Sequence, residues 1–589
     1  MTKTPKLIAG ALVVTGLVAA ATPWRIPRAG VADAFGGGLV RSAGFDATVA
    51  GHVSLKLLPR PRIQASDLTV SSRDGAVMVD APLVKAELDI PSLLRGRWRI
   101  TSATLVEPTV TLDLDRFAAH RPVDVAAIAE PIQLRLRSGV LRTRSTTAFA
   151  DLLVTRIDAS ATWPADGGAL VVAGDATWRG AATQFTGILQ HPLKSVAPEG
   201  TVASLQVESS LFDMSADGVL SGGTQEQFTG RASLTTSSLP KLIRTLDGVP
   251  LAIATKRAQI TGDIVAKPYD LSISEATVRL DRSRFEGTLA WRRDAGHGLV
   301  AGTLATDLLD ADALLGKRLD GDALDALYRR PLDTSLFGTD IDVRISASAA
   351  RIGKVRVDDA AVAALVRGDR FELTLDEARA YGGLVKARVL ANLGPDGIDA
   401  HAELSAKRLD LALLSGGLSG QERASGSLTG HAALDGRGTS LRNVVAGLAG
   451  QGELEIEEGR LAGLSLAQSL RRLGRRLPLG AERGGTPTTF DRARWDVSVR
   501  DGVVRIPEGK LTAPGVAMSF GAETTLPDGR IAVHALAAQT DGGGAPLQDG
   551  QRLPFDMRGS WAGPLTMVAH ATGLPSFAVP LLGDTAPLR

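Results

Sequence analysis

A mainly β fold is predicted for this chain, and three observations predict it. The first is alternation of apolar and polar residues, as in Val53-Ser54-Leu55-Lys56-Leu57, Ile132-Gln133-Leu134-Arg135-Leu136 and Ile341-Asp342-Val343-Arg344-Ile345. It continues through Phe371-Glu372-Leu373-Thr374-Leu375 and Trp495-Asp496-Val497-Ser498-Val499. Successive side chains of a strand point to opposite faces, so each such segment has one apolar and one wet face. The second is punctuation: Gly, Pro and Asp interrupt the alternation at short intervals, as turns between strands require. The third is a shortage of helical periodicity. Too few helices are available to cover so much one-sided sheet, and strand twist prevents a long sheet from staying flat. The expected result is a long, bent antiparallel sheet curled around its own apolar face, leaving an elongated hydrophobic groove with a few short capping helices. Roughly 25 to 30 strands at about 4.8 Å would give a groove on the order of 130 Å long.

The N-terminus comes first. Lys3 and Lys6 precede the uncharged run 7–21, and Arg25 and Arg28 follow it. Two readings compete. As an anchor, the segment offers Leu7, Ile8, Leu12, Val13, Val14, Leu17 and Val18 to the bilayer and Trp24 to its interface. As a signal peptide, it has an apolar stretch 7–18 and a cleavage-like Ala19-Ala20-Ala21. Both export the rest of the chain. Gly36-Gly37-Gly38 then supplies a flexible exit.

A first sheet module runs over about 49–114, with a turn at Pro59-Arg60-Pro61. It includes a short helix at Ile90-Pro91-Ser92-Leu93-Leu94, where Pro91 suits a first helical turn and Gly96 an end. Strands with glycine turns fill 139–292, and a charged helical stretch is expected over 308–328. Strands resume over 340–413, and Ser415-Gly416-Gly417-Leu418-Ser419-Gly420 reads as an internal hinge. Beyond it a helix is expected near 440–448, a strand at Glu453-Leu454-Glu455-Ile456, and a second helix over 465–477. On that helix Leu466, Leu470, Leu473 and Leu477 form one stripe, with Arg471, Arg472, Arg475 and Arg476 alongside. It either caps the sheet with its arginines in water or sets those arginines against anionic headgroups. Asp541-Gly542-Gly543-Gly544 opens a loop, and the tail to 589 shows little periodicity. The expected organisation is 1–29 as anchor or signal peptide, 30–414 as an elongated groove, and 415–589 as a C-terminal groove region with an irregular tail.

Composition narrows the function. Sixty-six basic residues against 64 acidic ones leave a net charge of +2, without the concentrated basic excess of a nucleic-acid binder. Aromatic residues are 4% of the chain, too few for base-stacking platforms. Cysteine is absent, which excludes a disulfide framework and thiolate metal ligation. The eight histidines, His52, His120, His191, His297, His401, His431, His534 and His570, form no local ligand pair. Gly463-Leu464-Ser465-Leu466-Ala467 lacks the final glycine of a nucleophile elbow, and no phosphate loop occurs. Asp310/Asp312, Asp358/Asp359 and Glu457/Glu458 read as solvated or turn carboxylates. No enzyme, cofactor or metal is expected.

Several segments fall in an order that carries a family resemblance. Near the N-terminus these are Leu57-Leu58-Pro59, Ala81-Pro82-Leu83-Val84-Lys85-Ala86, Pro91-Ser92-Leu93-Leu94-Arg95-Gly96 and Leu105-Val106-Glu107-Pro108-Thr109-Val110. Further on come Gly426-Ser427-Leu428-Thr429-Gly430, Leu448-Ala449-Gly450-Gln451-Gly452 and Ile456-Glu457-Glu458-Gly459-Arg460-Leu461-Ala462-Gly463. Thr489-Phe490-Asp491, Asp501-Gly502-Val503-Val504, the segment 521–530 and Leu553-Pro554-Phe555-Asp556-Met557-Arg558-Gly559 with Gly563-Pro564 complete the order. These segments resemble the AsmA family of exported, inner-membrane-anchored bacterial proteins, and the resemblance implies an uncleaved N-terminal transmembrane helix in the inner membrane. It further implies a periplasmic bridge-like groove that moves glycerophospholipids or maintains the outer membrane; should the length of the groove fall short of the periplasm, an outer-membrane or periplasmic partner or a handoff is required.

The candidate groove lining is Val53, Leu55, Leu57, Val110, Leu112, Ile341, Val343, Ile345, Phe371, Leu373, Leu375, Leu454, Ile456, Trp495 and Val497. Burial of acyl chains contributes about 0.8 kcal/mol per CH₂ and is non-directional, so a lipid can slide along such a lining. The alternative is a scaffold whose sheet edges pair with the strands of outer-membrane proteins.

Overall fold

The computed structural model describes residues 45–95, 99–113, 132–144, 153–164, 168–192, 198–222, 227–247, 255–267, 270–294, 297–315, 339–353, 355–394, 397–419, 424–461, 465–474, 487–525, 530–541, 551–560, 565–570 and 577–581, with the single positions 22, 24, 25, 116, 422 and 547. The chain is mainly β and forms two compact units, 1–251 with 256–299, and 252–255 with 300–589.

The first unit begins with β1 (Trp24–Arg25), β2 (Phe45–Val49), β3 (Val53–Lys56), β4 (Arg62–Ser72), β5 (Val77–Leu88) and the helix α1 (Ile90–Leu94). It continues with β6 (Ile100–Val106), β7 (Thr109–Asp113), β8 (Ile132–Arg144), β9 (Leu153–Trp163), β10 (Leu170–Trp178) and β11 (Ala181–Leu189). Then come β12 (Thr201–Ser209), β13 (Asp213–Ser221), β14 (Gln227–Thr236), α2 (Leu239–Asp247), β15 (Ala258–Lys267), β16 (Asp270–Leu280) and β17 (Ser283–Asp294). From β8 to β17 each strand pairs antiparallel with the next. β6 and β7 lie end to end between β5 and β8, antiparallel to β5 and parallel to β8. The break between them falls at Glu107, which takes φ 52°, and at Pro108, which has no N–H to donate to a ladder. The core is divided into small clusters, one under α1 around Val53, Ile63, Ala65 and Leu88, and one under α2 around Ala181, Leu211 and Leu242.

The strand β18 (His297–Asp310) leads through the division into the second unit and α3 (Ala311–Leu315). There follow β19 (Thr339–Ile352), β20 (Val355–Arg367), β21 (Arg370–Ala380), β22 (Gly383–Gly394), β23 (Gly397–Asp410), α4 (Leu411–Ser419), β24 (Ala424–Gly438) and α5 (Leu441–Ala446). The unit continues with β25 (Ala449–Leu461), α6 (Leu466–Gly474), β26 (Thr488–Arg500), β27 (Val503–Ala513), β28 (Val516–Thr525), β29 (Arg530–Gln539), β30 (Arg552–Ser560), β31 (Leu565–Ala569) and β32 (Phe577–Leu581). From β19 to β32 each strand is antiparallel to its successor. Two-residue turns with both φ values positive join β10 to β11 (Arg179-Gly180), β21 to β22 (Tyr381-Gly382) and β26 to β27 (Asp501-Gly502). This is the backbone handedness that matches strand twist.

Strict alternation is interrupted in a regular way. Asp67, Ser138, Arg156, Glu275, Asp359, Arg408 and Glu458 take φ between 48° and 54° inside β4, β8, β9, β16, β20, β23 and β25. At each, two consecutive residues turn away from the apolar face before alternation resumes; in β25, Glu457 and Glu458 are exposed between buried Ile456 and Gly459. Such a bulge bends the strand and raises its local twist while the apolar side chains stay on one side. Asp358/Asp359 and Glu457/Glu458 are therefore solvent-exposed bulge residues within strands and not turn residues.

Three further expectations are revised. Residues 308–310 finish β18 and the helix there covers only Ala311–Leu315, with 316–328 outside the described residues. Of the expected glycine-rich hinge, 415–419 belong to helix α4 and Gly420 lies outside the described residues: Asp410 accepts hydrogen bonds from the Ala412 and Leu413 N–H groups at 2.8 and 3.2 Å, and Gly417 leaves room for the Tyr381 ring, 3.0 Å from where a Cβ would lie. The tail holds β30, β31 and β32; in β30, Leu553 and Phe555 share one face and are each only 1% exposed. The anchor candidates Leu7, Ile8, Leu12, Val13, Val14, Leu17 and Val18 lie outside the described residues. Trp24 is in β1, opposite Leu55, and is exposed. No helix among the described residues is long and apolar enough to cross a membrane.

Candidate functional site

Strand pairing converts alternation into continuous rows. In the first unit one cross-strand row reads Val53–Ala65–Val84–Leu105–Leu136–Ala159–Gly174 and continues Phe185–Val207–Met214–Leu234–Ile260–Val278–Phe285. Fourteen strands thus contribute one apolar residue or glycine each, with no charge, over about 60 Å. The adjacent row begins Leu55–Ile63–Ala86–Ala103–Leu134–Ala161–Val172–Gly187–Leu205 and is equally uncharged.

The second unit has the same design. Val343–Ala364–Leu373–Val389–Ala402–Leu434–Gly450 continues through Val499–Val504–Thr524–Ile531–Gly559, twelve strands with one polar member. Beside it runs Ile345–Val362–Leu375–Ala387–Leu404–Ala432–Gly452–Val497. On these rows Leu373 and Leu404 remain 38% and 44% exposed. A chain that leaves leucines half in water along a continuous row has a face available for apolar occupants.

Toward β25–β30 the face deepens into an apolar cavity of about 300 Å³, walled by Ile456, Phe490, Trp495, Ile506, Phe520, Val533 and Met557. That is the lower end of the range of small-molecule pockets. Glycines create the room. Phe490 lies across Gly459 and Phe520 across Gly509, so closely that a Cβ at either glycine would fall 2.0 or 2.3 Å from the ring. Trp495 meets Phe520 edge-on, with centroids 5.8 Å apart. One end is closed by α6, whose Leu466 and Leu470 are 0% and 2% exposed in a cluster with Leu511, Val516, Ala537, Leu553 and Phe555. Thr524, the polar member of the row, also lines the cavity, and its Oγ1 is buried with no hydrogen-bond partner.

The opposite face is a field of cross-strand charge pairs. Arg388 donates to Glu372 at 2.7 Å, Arg505 pairs with Glu523 at 3.1 Å, and Arg492 bridges Glu455 and Glu457 at 2.7 and 2.9 Å. Arg494 pairs with Glu453. His401 lies 2.8 Å from Asp435 and 3.5 Å from Glu403, and its pKa is raised, chiefly by the Asp435 hydrogen bond and then by Glu403. Asp556 takes His534 on one oxygen at 2.7 Å and His570 on the other at 3.1 Å, and the two hydrogen bonds, His534 first, hold its pKa below the usual carboxylate value. Distant histidines thus do converge, on a carboxylate. No group of three or more His, Asp or Glu side chains among the described residues is arranged to hold a metal ion.

The predicted lining residues fall as follows. Val53 and Leu55 open the two rows of the first unit, and Val110 lies on a third, between Val79 and Leu141. Leu112 is one step along, opposite Val77 and Thr143. Ile341, Val343 and Ile345 are joined to Phe371, Leu373 and Leu375 through Val366, Ala364 and Val362 of β20. Leu454 faces Trp495, Ile456 faces Ala493 and Val497 faces Gly452. Leu57 is different: it lies beyond the end of β3 and is exposed, outside the rows. Arg471 is exposed on α6; the side chain of Arg472 and all of Arg475 and Arg476 lie outside the described residues. Sequence reasoning missed the bulges and the glycine–phenylalanine pairs. The signal for the former was present as polar doublets between two phases of alternation, such as Lys407-Arg408 before Leu409.

Residues 314–508 match the model of the AsmA family, which covers β19 to β26 and the start of β27. No curated protein and no solved structure matches the chain.

Proposed function

On the AsmA-family assignment carried by residues 314–508, we propose that the protein is anchored in the inner membrane by its N-terminal segment and holds glycerophospholipid acyl chains along the apolar face of its periplasmic sheet, serving transport to, or maintenance of, the outer membrane. The observation that carries this reading is the pair of uncharged cross-strand rows in each unit, with Leu373 and Leu404 left partly open in the second. A row of similar residues gives similar affinity at each strand, which permits an acyl chain to slide rather than lodge. Charged headgroups ride at the wet margin. Thr524 Oγ1, the buried hydroxyl without a partner, offers a hydrogen bond to a polar group near the head of the tail. The role needs no chemistry, and the protein is read as a carrier and not as an enzyme.

A glycerophospholipid carrying a photoreactive diazirine in its acyl chain tests this. After irradiation with the purified full chain, adducts mapped by mass spectrometry are expected on Leu373, Leu404 and Phe520, and unlabelled phospholipid should compete them away. Adducts spread equally over both faces, or none at all, would reject lipid binding in the groove.

A further inference from the structure

One end of the first unit gathers exposed apolar side chains with basic ones. Strand register fixes the end: Lys56 is opposite Arg62, Arg62 opposite Glu87, and Trp24 opposite Leu55. The Leu88 N–H donates to the Pro61 carbonyl at 2.9 Å, and the Asp89 N–H to that of Arg99, also at 2.9 Å, so the turn after β3 and the start of α1 are tied together. Asp89 caps the helix, accepting from the Ser92 N–H at 3.0 Å and its hydroxyl at 2.6 Å. Leu93 faces inward onto the cluster of Val53, Ile63 and Leu88. Ile90 and Leu94, four residues apart and so on one side of the helix, are left 51% and 83% exposed. Leu57 at 37% and Trp24 at 55% stand at the same end.

Isolated exposed apolar residues need no explanation, but four at one sheet end do. The charges around them are mostly basic: Arg25, Lys56, Arg60 and Arg95. Of the acids, Glu87 is 4.0 Å from Arg60 and Asp89 is engaged in the helix cap. Trp24 is three positions beyond the apolar run 7–21. An apolar tip with a basic surround, joined within a few residues to such a run, fits a bilayer surface bearing anionic headgroups.

We propose that this end of the first unit seats on an anionic lipid bilayer, with Ile90 and Leu94 of α1 entering the headgroup region and Leu57 and Trp24 beside them. The contact holds the first strands of the apolar rows at the membrane, where an acyl chain can pass from the bilayer to Val53 and Leu55. This rests on the reading of 7–21 as an uncleaved anchor.

The absence of cysteine permits single-site labelling. Full chains carrying Ile90→Cys, Leu94→Cys or Met78→Cys, each coupled to an environment-sensitive fluorophore, are reconstituted with vesicles of phosphatidylethanolamine and phosphatidylglycerol. Met78 is an exposed residue near the opposite end of β5 and serves as the reference. The labels at positions 90 and 94 are expected to shift to the blue and to be quenched several-fold more than that at 78 by headgroup-proximal spin-labelled lipid. Substituting phosphatidylcholine for phosphatidylglycerol should weaken both effects. If the chain is retained by the vesicles while labels at 90 and 94 behave like that at 78, the docking surface is wrong and the anchor stands. A chain not retained at all overturns both.

Discussion

Within the second unit, β19–β24 and β25–β30 are written in the same alternating pattern but reach different states. Along the former, Leu373 and Leu404 stay partly in water; along the latter, Leu511, Leu553 and Phe555 are nearly inaccessible. The difference is the cover. Leu466 and Leu470 of α6 drop onto the sheet between β25 and β30 and complete a cluster of thirteen buried residues, whereas the buried cluster between β19 and β21 consists of four alanines. Alternation makes an apolar face; only a second layer makes it a core. The uncovered part keeps apolar side chains in contact with water.

The comparison is broken most directly at the cover. Leu466→Ala removes a side chain with no exposure and is expected to destabilise the second unit by about 2–5 kcal/mol. Leu373→Ala, from a half-open site, is expected to cost about 1 kcal/mol. Urea unfolding of both variants measures the two, and equal costs would contradict the distinction drawn between covered and open sheet.

A second test sharpens the account of the cavity. Gly509→Ala places a methyl group against the Phe520 ring and should force it toward the cavity, costing about 1–3 kcal/mol by overpacking. Urea unfolding reads the loss, and a changed Trp495 emission reads the displaced ring. An unchanged spectrum and midpoint would mean that the glycine does not set the ring position. Thr524→Val is smaller and opposite in sign. Removing a buried hydroxyl without a partner is expected to be neutral or to stabilise by up to about 1 kcal/mol, while weakening retention of a glycerophospholipid in the same preparation.

The smallest effect is expected on the polar face. The raised pKa of His401 means that its contribution is complete below the ordinary histidine value of about 6.5 and fades as pH rises through the higher folded-state value. His401→Gln should therefore lose slightly more stability on the acid side than on the alkaline side. Thermal unfolding across that pH window checks the sign.

The strands and the apolar face were legible because the period-2 signal is local: Phe371, Leu373 and Leu375 can be assigned to one face from five residues. The placement of α1, α5 and the first part of α6 was legible for the same reason, since capping and stripe patterns are also local. The bulges were hidden because Asp358-Asp359 looks the same in a turn and in a strand; only pairing with β21 shows that alternation continues past it. Ser415–Gly420 misled because glycine lowers helix propensity, and nothing in those residues announces the Asp410 cap or the Tyr381 ring packed over Gly417. Leu57 fits the alternation of β3, but Pro59 two residues later ends the ladder before it. The cavity was illegible for a different reason: the pair Gly459–Phe490 forms across a connection that no local window spans, and the pair Gly509–Phe520, although it closes over one hairpin turn, depends on a register that neither residue announces.

The central claim is that one face of this sheet carries lipid and the other does not. Photocrosslinking residues placed singly at positions 371 to 376 in cells, with adducts identified by mass spectrometry, test it on one strand. Phe371, Leu373 and Leu375 should yield lipid adducts, whereas Glu372, Thr374 and Asp376 on the opposite face should not. Protein adducts without lipid at either set would contradict the groove and favour pairing with another chain.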